Sequence, residues 1–470
     1  MASASTVFTP IPIPMPRASM AHEVKDMRSL KVFSNERLVG WLAEFNDIWQ
    51  FEYAPEWVTW EHSWDVSPPI ARAAGQIVDG STMRPVQWFF DNLLPEDRMR
   101  TAIAAKAKIA EADAFALLEY MGAESAGSLV LLPPSEGMPT EEGYRLLSDE
   151  ELDQRIKDMP RVPIASTGPK RMSLAGAQHK LLVNWDGTQL WEPLGLTPST
   201  HILKPEHLSN DYAHSVINEY AMMKLAARLG IAAPEVWRHY CSQPVYIVER
   251  FDRHVTSIKN PIRAREGTGK QVTDRLHVID TCQLLNKAHT YKYTQASLTT
   301  LMEVVNATRN MLATRLGLFR WLLFNVLIAN HDNHLKNVSL MVAEDGVSLG
   351  KTYDLVCTGV YHTEAFYNGG AKWPEIDLAI PLPNQHRYSD VTRQGVIAAG
   401  AALGLPERIC KREIDAMTDR IGPELDDIIA GIEEENAELP ESTRQYQGGE
   451  LRLLRAIRYV IVAQMLLKVS

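Results

Sequence analysis

The segment Asn330-His331-Asp332-Asn333-His334-Leu335-Lys336-Asn337 constrains this chain more than any other. It is a polar octet between two apolar runs, residues 316–329 with the length of a helix and residues 338–342 with the length of a strand. Two buried elements hold such a loop rigidly, and polar side chains on a rigidly held loop are presented as reactive groups. The same octet can be a loop whose Asp and Asn only cap neighbouring backbone. His331 and His334 are spaced for one face of a helix, but no second cluster of metal ligands accompanies them.

Asp332 and Asn337 stand five apart, the spacing of the Asp and Asn in a kinase catalytic loop. Phosphoryl transfer requires a carboxylate that orients and deprotonates the attacking hydroxyl, with oxygen ligands for magnesium nearby. Asp354 follows in Tyr353-Asp354-Leu355, after a hairpin expected to turn at Asp345-Gly346. Kinases carry their second metal-binding Asp after such a hairpin. Upstream, Ser173-Leu174-Ala175-Gly176-Ala177-Gln178-His179-Lys180 is rich in small residues that let backbone N–H groups approach phosphate, and Lys180 adds charge. It has one glycine and so is not a standard phosphate loop; a plain small-residue turn reads the same way.

Lys204 ends the strand-like run His201-Ile202-Leu203-Lys204, where an inward lysine is costly unless paired. Nucleotide phosphate is a fitting partner. Glu219, on the helix expected over residues 213–229, can position it or can be a surface charge. Residues 245–248 form an apolar strand running into Glu249-Arg250-Phe251, where a kinase-like fold places its adenine hinge. Each feature is weak singly, but their order along the chain is the order found in kinases.

Composition is that of a globular chain: 470 residues, 45% hydrophobic, 23% charged, with net charge −10. That charge argues against nucleic acid as a primary ligand, since phosphate contacts need clustered Lys and Arg. Cys241, Cys282, Cys357 and Cys410 lie far apart and are expected to be free thiols in a reducing compartment. No apolar run reaches the roughly 18 residues of a membrane span, and no signal peptide is evident, so a cytoplasmic protein without membrane contact is expected. Four segments are expected: a disordered Pro-rich tail over 1–28, in which Met20 offers a second start; an N-terminal α+β subdomain over 29–146; a β-rich nucleotide-binding lobe over 147–255; and a mostly helical catalytic lobe over 256–470. Residues 49–60 are strand-prone, residues 99–121 read as one helix, and Asp186-Gly187 signals a hairpin.

At the strings SLAGAQHK, HILKP, NEYAMMKLAARLG, VERFDR, NHDNHLKN and YDLV the sequence resembles the HipA family of serine/threonine kinase toxins. VGWL, FEYAPEW and FFDNLLPE extend the resemblance into the N-terminal part. The resemblance implies an α+β, two-lobed kinase-like fold and use of ATP and Mg2+. It makes Asp332 the proton acceptor and Asn337 and Asp354 the magnesium ligands. Lys204 and His334 would lie at the phosphates, Leu174, Ala175, Gly176, Ala177, Gln178, His179 and Lys180 would form the phosphate loop, and Glu249, Arg250 and Phe251 the adenine hinge. Ser173 falls at the serine that the family autophosphorylates to silence itself.

By the same resemblance the substrate is a protein, such as an aminoacyl-tRNA synthetase, and the partner is a HipB-type helix-turn-helix antitoxin, through which DNA is met only indirectly. Departures from the family pattern are the Pro-rich tail, a basic, flexible segment over 260–275, and an acidic linker over 433–447. Two other functions fit the chain: a small-molecule kinase on the same scaffold, and a catalytically idle corepressor that works through an antitoxin.

Overall fold

The computed structural model describes residues 27–122, 124–137, 142–159, 162–164, 178–256, 272–366 and 370–470. The chain opens with an antiparallel five-stranded sheet whose strand order is Gln76–Val78, Ile48–Tyr53, Arg37–Phe45, Arg28–Ser34, Leu129–Leu132. Strict alternation in Arg28–Ser34 sends Leu30 and Val32 inward, into the same buried core as Trp49, Phe51 and Phe90. Each such side chain stabilises the unit by about 1.5–3 kcal/mol relative to exposure.

The strand-prone stretch after Ile48 stops at Tyr53, because Pro55 is placed at the first turn of a short helix, Pro55–Thr59. The single helix expected over residues 99–121 is two. Asp97–Ala107 ends with Lys108 in the left-handed region, at φ 57°, and Ala114–Met121 restarts with the Asp113 carboxylate accepting from the Ala116 N–H at 3.0 Å.

A second sheet has six strands in the order Val236–Tyr240, Pro244–Glu249, His201–Pro205, Leu181–Trp185, Leu190–Gly195, Glu142–Leu147. One face buries Leu181, Val183, Leu203, Val245 and Ile247 against Leu152 and Ile156 of the helix Asp149–Asp158. Because side chains alternate, Lys204 is on the opposite face from Leu203, toward the helix Ser215–Arg228. That helix ends where Gly230 adopts φ 80°.

The remaining lobe is mostly helical. Met311–Leu327 begins at Asn310, whose side chain accepts from the Ala313 N–H at 3.1 Å, and is apolar around most of its circumference, so it runs through the core. It leads into the octet, and the strand Ser339–Ala343 leaves it, paired between Val278–Asp280 and Gly346–Leu349. The segment read as an acidic linker over 433–447 is instead mostly helical: Glu407–Glu438 runs through its first residues and Arg444–Ala456 takes its last. Of the segment over 260–275, Val272–Arg275 is a strand paired with Arg253–Thr256, and the preceding residues lie outside those described. The four cysteines are free, and no helix among the described residues is long and apolar enough to cross a membrane.

Candidate active site

Between the six-stranded sheet and the helical lobe lies a cleft of about 430 Å³, whose wall includes Lys180, Lys204, Glu219, Asp332, Asn337 and Asp354. Lys180 and Asp354, 174 positions apart in sequence, therefore share one space.

Lys204 organises the floor. Its Nζ lies 2.7 Å from Glu219 Oε1 and also contacts Asp354 Oδ1, with the lysine side chain 5% exposed. It sits 5.6 Å from the ring centroid of Tyr246, directly across the strand pair. Burial alone would lower the Lys204 pKa, but Asp354 and then Glu219 outweigh it and raise it, so the ammonium is kept. Burial favours the neutral form of Asp354 too, yet Lys204 and then Lys180 hold it ionised, below the usual carboxylate range. Glu219 moves the other way: burial raises its pKa more than Lys204 lowers it. Asp354 has φ 54°, an uncommon backbone conformation for a residue with a side chain and one found at functional sites. Asn218 secures this arrangement, donating to the Cys357 carbonyl at 3.0 Å and accepting from the Cys357 N–H at 2.9 Å.

The octet forms the opposite wall. Ala329 closes the helix at φ 51°, Asn330 donates to Asn325 Oδ1 at 2.8 Å, and the His331 N–H donates to Thr358 Oγ1 at 2.8 Å. These contacts turn Asp332 outward, where it is exposed. The Asn337 amide donates to the Asp332 carbonyl at 3.2 Å, tying the two ends of the loop. His334 lies in the cleft wall, its Nδ1 buried without a hydrogen-bond partner, and burial lowers its pKa.

Gln178 and Lys180 reach the cleft; burial lowers the pKa of Lys180. Beside them His179 is likewise held down by burial. Ser173, Leu174, Ala175, Gly176 and Ala177 lie outside the described residues. Glu249 ends the strand Pro244–Glu249 and Arg250 and Phe251 follow it; none of the three is part of the cleft wall. The Arg250 side chain instead points to the N-terminal unit, donating to Asp252 at 2.9 Å and to the Ser125 carbonyl at 3.0 Å. Phe251 packs near Tyr353, with ring centroids 6.0 Å apart.

Asn92, Glu96, Lys292 and Tyr293 also stand in the cleft wall, and nothing in a local reading of the sequence assigns them to it. Glu96, from the N-terminal unit, meets both Lys336 and Lys292. Lys336 also donates to Asn92 Oδ1 at 2.9 Å. Tyr293 Oη donates to Asp332 Oδ1 at 2.5 Å. Asn92 follows the helix Pro85–Asp91 and Glu96 precedes Asp97–Ala107, so both lie in the turn between two helices, within the string FFDNLLPE.

Among the described residues no group of three His, Cys, Asp or Glu is arranged to hold a metal. The donors present, one carboxylate in Asp354 and one amide in Asn337, suit magnesium, which keeps water and takes phosphate oxygens to complete its shell. The cationic pair Lys180 and Lys204 beside them suits the phosphates themselves.

A family model described as HipA-like C-terminal domain matches residues 172–424, and one described as HipA N-terminal domain matches residues 30–132. The chain is 28% identical over 400 residues to a serine/threonine-protein kinase toxin HipA of Shewanella oneidensis, across 82% of this chain and 84% of that one. Among solved structures it is similar to a chain in a complex of HipA, HipB and operator DNA from Shewanella oneidensis MR-1. That likeness has a TM-score of 0.71 and 25% identity, and covers 93% of this chain and 99% of the other.

Proposed function

The chain belongs to the HipA family and has its two-lobed kinase-like fold, and on that premise we propose that it is an ATP- and magnesium-dependent protein-serine/threonine kinase acting as a toxin. The observation that carries this reading is Lys204 held between Glu219 and Asp354 across one cleft from Asp332 and Asn337. Magnesium, when bound, neutralises charge on the transferring phosphoryl group. Asp354 and Asn337 would hold it, and Lys204 and Lys180 would bind the phosphates. Asp332 accepts the proton of the attacking hydroxyl as its oxygen bonds to the γ-phosphorus, while the bond from phosphorus to the bridging oxygen breaks and its electron pair leaves on ADP. Its exposure suits an acceptor carried on a large partner.

The acceptor in this reading is a protein, an aminoacyl-tRNA synthetase by family likeness, and phosphorylation of Ser173 silences the enzyme. The solved relative's complex with HipB and operator DNA supports a HipB-type antitoxin as the partner. Purified protein incubated with labelled ATP, magnesium and a cell lysate tests the reading, with mass spectrometry on the labelled products. Label on protein serine or threonine is expected. Label confined to a metabolite would assign the chain as a small-molecule kinase, and none above an Asp332→Ala control would leave the idle corepressor.

A further inference from the structure

We propose that Tyr293 gates the acceptor position: its hydroxyl holds Asp332 until a protein hydroxyl displaces it, so that water is refused as an acceptor of the phosphoryl group. The inference rests on Asp332 being the base, as read above.

Tyr293 Oη donates to Asp332 Oδ1 at 2.5 Å, the contact an acceptor hydroxyl itself has to make with a general base. Burial, and then the charge of Asp332, raise the phenol above its usual pKa, so at neutral pH it remains a donor. The tyrosine is nevertheless 46% exposed. Its ring meets His334 edge-on at 4.9 Å and has Lys292 Nζ 5.2 Å from its centroid. It also stands between two spaces. One is the cleft containing Lys204 and Asp354; the other is a depression of about 470 Å³ whose wall includes His331, His362 and Ile376. A turn of the side chain toward that depression frees Asp332 without opening a packed core.

The reaction refused is ATP hydrolysis. In it the water oxygen bonds to the γ-phosphorus, the bond from phosphorus to the bridging oxygen breaks, and its electron pair leaves on ADP. The water's proton passes to Asp332 and then to solvent. A single water has only one hydrogen bond to exchange for the one it must break. A docked protein segment brings contacts remote from its hydroxyl, and that binding energy offsets displacement of the tyrosine. A hydrogen bond to a charged group lost or gained at this point corresponds to a change on the order of tenfold in rate.

Phosphate release from Mg-ATP by the full chain, with no acceptor added, measures the gate. Tyr293→Phe, which keeps the ring and removes the hydroxyl, is expected to release phosphate on the order of tenfold faster than the wild type. Tyr293→Leu is expected to do the same, and adding Asp332→Ala to either is expected to abolish the gain. Release no faster than wild type in both single variants overturns the gate, as does a gain that survives Asp332→Ala. Transfer of label into lysate proteins, run in parallel, separates this from the kinase reading. Faster hydrolysis by the variants with no protein labelled by the wild type leaves the gate standing and removes the protein acceptor. Labelled protein with unchanged hydrolysis does the reverse.

Discussion

Lys336 Nζ lies 2.9 Å from Glu96 Oε1, with the two side chains 5% and 4% exposed. One residue belongs to the polar octet and the other to the N-terminal unit, so the loop carrying Asp332 is pinned by a carboxylate from another part of the chain. Lys292 contacts the other oxygen of Glu96, and Lys336 also approaches Asp280 at 3.4 Å. Glu96→Ala leaves both lysines without this anion, Lys336 deeply buried. A buried pair broken on one side costs roughly 3–5 kcal/mol. Denaturant unfolding should show a loss of that order, with phosphoryl transfer reduced in the fraction that stays folded. Glu96→Gln should lose less, because it keeps an acceptor.

Two buried groups, His277 and Glu96, should each lose their contribution to stability as pH falls, in separate windows. His277 is stacked on Trp64 at 4.0 Å, its Nε2 lies 2.8 Å from the Val66 carbonyl oxygen, and burial pushes its pKa down to about 4. The unfolded chain therefore takes up this proton first as pH falls. The stability is present above about pH 6.5 and is lost on descending toward pH 4, up to roughly 3 kcal/mol for one such group. Glu96 follows. Burial opposes its ionisation, but Lys336 and then Lys292 hold its pKa down to about 2, so its contribution is present above about pH 4.5 and lost on descending toward pH 2. Each contribution is read as a difference between wild type and variant in unfolding free energy across its own window. His277→Phe should be less stable than wild type at pH 8, and that difference should shrink as pH falls from about 6.5 toward 4.

Lys204→Met should bring Glu219 and Asp354 face to face without their shared cation. ATP affinity measured by calorimetry should fall at least about tenfold, the worth of one charged contact. Lys204→Arg should not restore it, since a planar guanidinium cannot replace a compact ammonium between the two carboxylates.

The parts of this fold that are legible in sequence are the local ones. The octet shows itself by polarity between two apolar runs, and Gly230 marks its helix end because that position needs φ 80°. Asp186 signals its hairpin through a carboxylate that accepts from the Thr188 and Gln189 N–H groups at 2.9 and 2.8 Å. The break after Ala107 is hidden, because Lys108 takes a left-handed conformation that sequence assigns to Gly or Asn. In residues 49–60 the aromatic content outweighs Pro55, which is the true helix signal. The site divides in the same way. Asp332, Asn337 and Asp354 are readable from spacing along the chain, whereas Glu96 with Lys336 and Tyr293 with Asp332 are tertiary pairs set by packing between distant segments.

In the proposed function Asp332 is the base of a phosphoryl transfer built on Lys204, Asn337 and Asp354. Asp332 is exposed and does not hold the fold together, so its removal isolates the chemistry. The most direct measurement compares wild type and Asp332→Ala side by side, titrating Mg-ATP binding by calorimetry and following transfer of labelled phosphate to protein. Near-equal ATP affinity is expected, with a loss of transfer of about 10²-fold or more in the variant. Transfer by Asp332→Ala at close to the wild-type rate would contradict it.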